Sequence, residues 1–401
     1  MRITGLDILH VDGGFSVFSY LKVTTDAGLT GWAEFSGHET IPGHLREMKR
    51  RIAGADPCDL AALDAVLFTY QRHHPAGSVG RAIGAVMNAC LDIKSKAAGL
   101  PVHALLGGAV RRRIPLYWSH CGLFRVRFAD LFETIIGKPP IRTLDDLKAA
   151  GREVADAGFR ALKTNLIRFD SGTAATYSPG IGRSTLVGHP ELNIDPAILR
   201  AFTDQIEALR DGAGPDVEIA FDLNCNFRPE GYRKLARAAE PFDLMWLEID
   251  MLDARALASL RASTTTPIAS LEKIMRRHTL RPYLEREAVD VAIIDAQWTG
   301  VWESVKMAHM LDAYEINVAA HNSAGPLGAR MSAHFCAAIP NFRIMEHEVD
   351  AVPWAAGLLE PPNLIESGEF VIDDGPGWGA EVDEEAARAH PATDRPEEKL
   401  L

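Results

Sequence analysis

The chain has few cysteines, and none of them belongs to a recognisable motif. Its 401 residues contain five, which are scattered and never spaced as CxxC: Cys58, Cys90, Cys121, Cys225 and Cys336. An odd number of isolated cysteines argues against a disulfide scaffold and against a thiolate zinc site. We therefore expect reduced thiols in a cytoplasmic protein.

The chain also lacks long apolar runs and any excess of positive charge. Residues 1–14 contain no apolar stretch of the kind found in signal peptides, and no later run reaches membrane-spanning length. The formal net charge of -12 disfavours nonspecific binding to nucleic acid. These absences predict an ordinary globular protein that has no nucleic-acid or membrane partner.

The N-terminal part predicts a small antiparallel sheet followed by helices. Residues 17–23 alternate apolar and polar side chains, and residues 26–28 (Asp-Ala-Gly) interrupt this pattern as a hairpin turn does. Farther along, one face of a predicted helix carries Ala82, Val86, Cys90, Ile93 and Ala97. Gly99 and Pro101 mark the end of that helix.

From residue 114 onwards, short apolar runs alternate with helical patterns. Eight such runs are predicted strands: 114–118, 159–165, 217–224, 244–248, 267–272, 289–295, 316–321 and 342–346. Near-continuous apolar runs are typical of parallel strands buried on both faces. Eight strands in succession, with helices between them, predict an α/β fold of the (β/α)8 barrel type, which takes about 250 residues.

The residues after the eighth predicted strand contain one further β pattern, 368–374 (GEFVIDD), followed by 375–379 (GPGWG). We expect this segment to fold back against the N-terminal sheet. The last dozen residues, 390–401, predict a loose tail.

A carboxylate or a histidine ends six of the predicted strands at nearly constant spacing. The six are Asp222, Glu248, Glu272, Asp295, His321 and Glu346, at intervals of 26, 24, 23, 26 and 25 residues. A strand, its return helix and two loops take about that many residues. Because the carboxyl ends of barrel strands converge on one face, these side chains predict an active site there.

The first three of these residues predict a metal site. Asp222, Glu248 and Glu272 end the third, fourth and fifth strands, and neighbouring strands lie about 4.8 Å apart. Carboxylate oxygens without thiolate or imidazole ligands favour Mg²⁺, one ion per subunit, with Mn²⁺ as a substitute. Asp250 shares a strand face with Glu248 and is a rival for its place.

Asp295 and His321 end strands six and seven and predict a catalytic pair. An aspartate that accepts the imidazole N–H raises the basicity of the other ring nitrogen, which is how a general base is made. Glu346 ends strand eight, and we expect it to be protonated and to donate a hydrogen bond to a developing oxyanion. Glu348, on the same face, is its rival.

Lys163 ends the second strand and shares a face with Asn165, so both can reach the same ligand. A buried lysine must be paired or used. Its alternative role is a salt bridge to a carboxylate of the metal site.

The same positions lie within an ordered set of sequence motifs: LDIKSKAAGLPVHALLGG, KTN on strand two, FDLN, WLE, PIASLE, IIDAQW, VAAHN, IMEHEVD and GPGWG. This set runs over nearly the whole chain and resembles the mandelate racemase branch of the enolase superfamily. The resemblance implies an N-terminal α+β capping domain (1–112), a modified (β/α)8 TIM barrel (113–347) and a C-terminal segment (348–401) that returns to the capping domain. It also implies a homo-oligomer.

The resemblance further implies roles for the strand-end residues. Asp222, Glu248 and Glu272 match the Mg²⁺ ligands of the branch, Asp295 and His321 match its dyad, and Glu346 matches its strand-eight electrophile. The shared chemistry is the removal of a proton alpha to a carboxylate, which gives an enediolate that the metal stabilises.

One departure from the branch restricts which of its reactions this chain is expected to catalyse. Where its racemases carry KxK on strand two, this chain has Lys163-Thr164-Asn165. Asn165 cannot accept a proton, and inversion of a stereocentre normally needs a base on each side. A single base, His321, suits elimination of water, as in the acid-sugar dehydratases of the branch. Lys163 then contacts the substrate carboxylate or acts as an acid.

The sequence thus predicts a Mg²⁺-dependent dehydratase (hydro-lyase) that converts a sugar acid, an aldonate or aldarate, into a 2-keto-3-deoxy acid. Protonated His321 is a candidate acid for the leaving hydroxyl. We expect the small-molecule substrate to contact Asn165, Asn224, His38 and Trp298. Its specificity should come from residues 13–20, 35–42 and 166–195.

Three alternatives stay open at this point. An epimerase, racemase or cycloisomerase would use the same enediolate chemistry. An aldolase would form a Schiff base through Lys163. A barrel without catalysis would only bind a ligand.

Overall fold

The computed structural model describes residues 1–37, 40–73, 77–169, 172–181, 192–395 and 397–401. In chain order the strands are β1 (Ile3–Asp12), β2 (Val17–Thr25), β3 (Thr30–Ser36), β4 (Arg113–Trp118), β5 (Ala161–Asn165), β6 (Ile167–Arg168), β7 (Ala175–Thr176), β8 (Glu218–Asp222), β9 (Trp246–Glu248), β10 (Ile268–Ser270), β11 (Val291–Asp295), β12 (Asn317–His321), β13 (Phe342–His347), β14 (Leu359–Glu360), β15 (Leu364–Glu366), β16 (Glu369–Val371), β17 (Glu381–Val382) and β18 (Glu398–Lys399).

The α-helices are α1 (Thr40–Ile52), α2 (Leu60–His73), α3 (Gly77–Ala98), α4 (Val102–Leu105), α5 (Leu123–Arg127), α6 (Ala129–Leu131), α7 (Leu144–Asp156), α8 (Pro196–Ala213), α9 (Pro229–Ala239), α10 (Ala254–Arg261), α11 (Arg277–Leu284), α12 (Ala296–Thr299), α13 (Val301–Asp312), α14 (Pro326–Ala338) and α15 (Glu384–Ala389). A π-helical turn spans Phe132–Ile136, and 3-10 turns span Pro179–Ile181, Glu240–Phe242 and Ala355–Leu358.

Eight parallel strands form a closed barrel. Their order is β4-β5-β8-β9-β10-β11-β12-β13, and β13 returns to pair with β4 through Met345↔Leu116 and Glu346↔Tyr117. All eight strands predicted from the sequence are confirmed, and a helix follows each of the first seven. The eighth is followed by the C-terminal segment instead of a barrel helix, which makes this a modified (β/α)8 barrel.

The N-terminal strands form an antiparallel sheet that α1, α2 and α3 cover. β1 pairs with β2, and β2 pairs with β3, as the interrupted alternation predicted. The predicted helix of residues 82–97 lies within α3 and is confirmed. This sheet and its helices form the α+β cap.

The C-terminal segment returns to the N-terminal sheet, as predicted: β18 pairs with β1, and the Trp378 indole N–H donates to the Trp32 carbonyl of β3. The β pattern at residues 368–374 forms β16, which pairs antiparallel with the first barrel strand β4 and not with the N-terminal sheet. The predicted loose tail is also wrong, because β18 near the chain end pairs with β1. An antiparallel edge strand needs only a free ladder of N–H and C=O groups, which apolar patterning does not reveal.

The barrel interior is filled by inward-facing residues from all eight strands, which we call the barrel floor. They are Tyr117, Ala161, Ala220, Trp246, Ala269, Val291, Ile293, Ala319 and Ile344, together with Met245 before β9. The alanines leave room for the two large rings, which meet edge to face with centroids 5.9 Å apart. This packed layer closes the barrel beneath its carboxyl-terminal end.

The cap docks on the barrel through α3. Asn88 donates a hydrogen bond to the Ala296 carbonyl (3.1 Å) and accepts one from the Val301 N–H (2.8 Å). Gly84 lies against the same connection, where a Cβ atom would stand 2.5 Å from the Trp298 carbonyl oxygen. Only glycine permits this approach, so α3 sits directly over the loop that follows β11.

Within the described ranges, no helix is both long and apolar enough to cross a membrane.

Asp92 on α3 ties the cap to the C-terminal segment. Its buried carboxylate accepts hydrogen bonds from the Trp32 N–H (2.9 Å) and the Trp378 N–H (3.0 Å) and pairs with Lys96 at 2.9 Å. One side chain therefore holds together β3, α3 and residues 375–379 (GPGWG), which are distant in sequence.

We predict that Asp92→Asn destabilises the protein by about 2–4 kcal/mol, since it removes a buried ion-pair partner and leaves one backbone N–H without an acceptor. The unfolding midpoint measures this change. Asp204→Asn, on the exposed face of α8, is the matched control. Equal midpoints for the two variants would contradict the role given to Asp92.

Candidate active site

Most of the predicted site residues lie two positions after a residue of the barrel floor. Lys163 follows Ala161, Asp222 follows Ala220, Glu248 follows Trp246, Asp295 follows Ile293, His321 follows Ala319 and Glu346 follows Ile344. Because side chains alternate along a strand, residues two apart point to the same side. The alternation therefore places six polar side chains in one layer directly above an apolar one.

Glu272 reaches the same layer in another way. It is the third residue after Ala269, so simple alternation would turn Leu271 inward instead. Leu271 takes a φ of 96°, in the left-handed region that side chains rarely adopt, and it packs into the outer core. This backbone turn brings Glu272 to the inner side, where its Oε2 lies 3.1 Å from His321 Nε2.

The predicted dyad is present. Asp295 and His321 are register partners on β11 and β12, and Asp295 Oδ2 lies 2.7 Å from His321 Nδ1. The other carboxylate oxygen of Asp295 accepts the Trp298 N–H at 2.7 Å. The carboxylate is thus fixed at both oxygens, and it directs His321 Nε2 away from β11.

The electrostatic surroundings of His321 are strongly negative. Burial alone would lower the imidazole pKa, but Glu272, Glu346 (3.7 Å from Nε2) and Asp295 raise the pKa of His321 to about 10. In this arrangement Glu272 serves as a counter-ion for the imidazole.

Lys163 lies between two carboxylates. Its Nζ is 3.1 Å from Glu248 Oε2 and 2.9 Å from Glu346 Oε1, and it is almost wholly buried. Burial opposes its charge, but the two carboxylates raise the pKa of Lys163 well above its usual value. The alternative role considered for Lys163, a salt bridge to a metal-site carboxylate, is therefore the one observed, and a Schiff-base amine is not favoured.

The surroundings of Glu346 favour its ionised form and so oppose the expectation that it is protonated. Burial would raise its pKa, but Lys163, His321 and His120 hold the pKa of Glu346 well below its usual range. The Ser119 hydroxyl (2.5 Å) and the Asn322 N–H (2.9 Å) also donate to it. Glu346 can therefore accept but not donate a hydrogen bond.

The three predicted metal ligands lie on adjacent strands, with Asp222 and Glu248 in register on β8 and β9. Asp222 and Glu272 are turned towards neighbouring side chains, and Glu248 towards Lys163. Among the residues that the structure describes, no three His, Cys, Asp or Glu side chains stand together as a ready-made metal site. The trio shares one layer but is engaged by separate partners.

Two predicted substrate contacts hold Asp222 in place. Asn165 Nδ2 and Asn224 Nδ2 donate to Asp222 Oδ2 at 3.0 and 2.7 Å, and the Asn224 N–H donates to Oδ1 at 2.7 Å. Asn165 Oδ1 is buried without a hydrogen-bond partner. Asn165 and Asn224 thus border the layer, in contact with a predicted metal ligand.

Trp298 also lies beside the site, with its ring 4.9 Å from the ring of His321. His38 lies outside the described residues, as do parts of the 35–42 and 166–195 segments.

Sequence reasoning did not identify Arg81. This α3 side chain stacks on Trp298, with its guanidinium carbon 3.4 Å from the ring centroid, and it donates to the Ser36 hydroxyl at 3.1 Å. No carboxylate in the described part of the chain forms an ion pair with it. A cation on a cap helix carries no motif, and only the docking of the cap brings it to the mouth of the barrel.

Asp250 and Lys273 also border the site. They form an ion pair of 2.7 Å, so Asp250, the rival of Glu248 in the sequence, is already paired. Asp250 still contributes to the raised pKa values of Asp222, Glu248 and Glu272.

His120 and Glu348 form a second histidine–carboxylate pair, of 2.8 Å, at the ends of β4 and β13. Glu348 was considered only as a rival of Glu346. The sequence does carry a sign of this pair. His120 follows the first barrel strand and Glu348 follows the eighth, and these two strands are neighbours in a closed barrel.

Two ranges of the chain match known protein families. Residues 15–107 match a family described as "Mandelate racemase / muconate lactonizing enzyme, N-terminal domain", and residues 146–386 match one described as "Enolase C-terminal domain-like". Together these matches span the cap and most of the barrel.

Similar proteins align over almost the whole chain. A D-xylonate dehydratase of Haloferax volcanii is 30% identical over 97% of this chain and 89% of its own length. A D-mannonate dehydratase of Novosphingobium aromaticivorans is 27% identical, covering 98% and 95%. A solved structure from Burkholderia xenovorans, provisionally described as an L-alanine-DL-glutamate epimerase bound to magnesium and fumarate, is 39% identical with a TM-score of 0.92, covering 97% and 96%.

The barrel, the cap and these matches agree with the sequence patterns. The chain belongs to the enolase superfamily, in its mandelate racemase branch.

Proposed function

We propose that this chain is a Mg²⁺-dependent hydro-lyase that removes water from a sugar acid, an aldonate or aldarate, and yields a 2-keto-3-deoxy acid. The observation that carries this proposal is the Asp295–His321 pair, in which the second imidazole nitrogen, Nε2, faces the carboxylates above the barrel floor. A base beside a cation site is what abstraction of a proton alpha to a carboxylate requires.

His321 is the proposed base. With Nδ1–H donated to Asp295 at 2.7 Å, only Nε2 can exchange a proton with a substrate. Glu272 can serve either the imidazole or a cation. A cation held by Glu272 would compensate the charge that Glu272 otherwise offers to His321, so the imidazole pKa would fall and Nε2 would become available for the α-proton.

The residues of strand β5 favour elimination over racemisation. Asn165 cannot accept a proton, and Lys163 is held between Glu248 and Glu346 with its pKa raised. Neither can therefore act as the base opposite His321. After the α-proton has been removed, loss of the 3-hydroxyl completes the reaction without a second base.

The donor set fits a hard divalent cation. Burial raises the pKa of Asp222, brings that of Glu248 to about 7 and raises that of Glu272 well above its usual value, so these carboxylates lack sufficient countercharge. Glu248 Oε1 is buried without a hydrogen-bond partner. Mg²⁺ held by these three residues would supply positive charge to the carboxylate end of the substrate. Mn²⁺ would serve as a substitute.

The similar proteins support the same substrate class. Two are a D-xylonate and a D-mannonate dehydratase, and both substrates are sugar acids. The protein bound to magnesium and fumarate shows that a relative with 39% identity accommodates a divalent cation and a dicarboxylate.

Epimerisation is the second candidate, because that same relative is provisionally described as an epimerase. It would use the same proton abstraction from the α-carbon. Incorporation of deuterium at that carbon in D₂O, without loss of water, would identify it.

The cation site generates one prediction. Mg²⁺ at 100 times its dissociation constant should stabilise the wild-type protein by about 2.7 kcal/mol. Glu248→Gln should weaken binding of Mn²⁺, followed by calorimetry, by at least about tenfold, since it removes a charged ligand. Glu315→Gln, at an exposed position before β12, should bind as the wild type does. Equal affinities in all three proteins would overturn the site.

A second prediction concerns the reaction itself. The enzyme with Mg²⁺ should release a semicarbazide-reactive 2-keto acid from at least one member of a library of mono- and diacid sugars. His321→Asn should lower kcat by about 10²–10⁴-fold or more, because a positioned general base contributes that much. Turnover that survives both EDTA and this substitution would rule out the mechanism.

A further inference from the structure

The proposed reaction needs an acid for the leaving hydroxyl, and among the strand-end residues around Glu346 only His321 itself could supply the proton. Glu346 accepts hydrogen bonds from the Ser119 hydroxyl and the Asn322 N–H and pairs with Lys163, and Lys163 is itself held by two carboxylates. The pair formed by His120 and Glu348 lies on the side of Glu346 opposite His321, and the steps proposed above do not use it.

His120 lies at the mouth of the barrel. It follows β4, in which Tyr117 belongs to the floor and Ser119 points inward to Glu346. Continued alternation would turn His120 outward, but its φ of 48° lies in the left-handed region and redirects the chain. The imidazole stacks on Phe124 with centroids 4.2 Å apart, and 17% of the side chain is exposed.

The hydrogen bonds of His120 assign its protons. Nδ1 lies 2.8 Å from both Glu348 Oε2 and Ser119 Oγ. The Ser119 hydroxyl donates its own proton to Glu346, so towards His120 its oxygen acts as an acceptor. Nδ1 therefore carries a proton, and Nε2 is the nitrogen left to exchange one. In the described ranges Nε2 has no hydrogen-bond partner.

Glu346 connects the two histidines. Its Oε2 lies 3.7 Å from His321 Nε2, and its Oε1 accepts from Ser119, which contacts His120. The two imidazoles thus approach the site from opposite ends of one carboxylate, each with its own acidic partner.

We propose that His120, oriented by Glu348, is the general acid that protonates the departing 3-hydroxyl. This inference rests on the proposed hydro-lyase function. Glu348 is a positioning residue, because it acts through the imidazole.

The proposed elimination conserves both protons and electrons. His321 Nε2 takes the proton from C2, and the C–H electron pair moves into the enediolate. That pair then forms the C2=C3 double bond as the C3–O bond breaks, and the departing oxygen takes the Nε2 proton of His120 to leave as water. The enol tautomerises to the 2-keto acid, and solvent returns a proton to His120 and removes one from His321.

The test separates proton abstraction from loss of water. His120→Gln should lower the rate of water loss by about 10²–10⁴-fold. In D₂O, the same variant should still exchange the C2 proton of recovered substrate, because His321 is intact. His321→Asn should lose both reactions. His309→Gln, at an exposed position of α13, should retain both.

A changed leaving group makes the test independent of a merely structural defect. Fluoride leaves without protonation, so a 3-deoxy-3-fluoro analogue of the substrate should restore elimination in His120→Gln to within about tenfold of the wild type. Glu348→Gln should show a smaller loss with the hydroxyl substrate and the same recovery with the fluoro analogue.

The contrary results distinguish a failure of the role of His120 from a failure of the hydro-lyase function. Unchanged water loss in His120→Gln, or loss of both exchange and elimination without recovery by the fluoro analogue, would overturn the role of His120 while the hydro-lyase function stands. A wild-type enzyme that neither exchanges nor dehydrates any acid in the library would overturn the function itself, and the role of His120 with it.

Discussion

Buried negative charge at the mouth of the barrel is the constraint to which the rest of the site is adapted. Five strand-end carboxylates, Asp222, Glu248, Glu272, Asp295 and Glu346, lie in one layer above an apolar floor. Carboxylates removed from water repel one another unless cations or N–H donors compensate them. Lys163 neutralises part of this charge and His321 another part, and burial together with the remaining negative charge raises the pKa values of the proposed metal ligands.

The cap completes this site because it is fixed to the barrel at several buried points. Glu34 of β3 accepts the Gly328 N–H at the start of α14 at 2.8 Å, and burial raises its pKa to about 7. Asn88 and Gly84 hold α3 over the loop after β11. Arg81 therefore reaches Trp298, which in turn touches His321. Cap residues can thus influence the proposed base without belonging to the barrel.

Much of the fold was predictable because each barrel strand is a local apolar run. All eight strands were identified, as were the N-terminal hairpin and α3. The pairing of β16 with β4 and the strand β18 within the expected loose tail were not, since both strands are short and pair with strands far away in the sequence. Pairing at a sheet edge depends on which backbone groups are free, and local patterning does not encode that.

The sequence by itself determined which residues enter the site: strand spacing and alternation of two place Lys163, Asp222, Glu248, Asp295, His321 and Glu346 above the floor. Only the tertiary structure decided their partners and charge states. The pKa of Glu346 is held well below its usual range, against the effect of burial, because Lys163 and His321 face it across strands. Glu272 and His120 reach the mouth through left-handed turns at Leu271 and at His120 itself, which alternation does not predict. Charge depends on distances between strands, and these distances exist only once the barrel has closed.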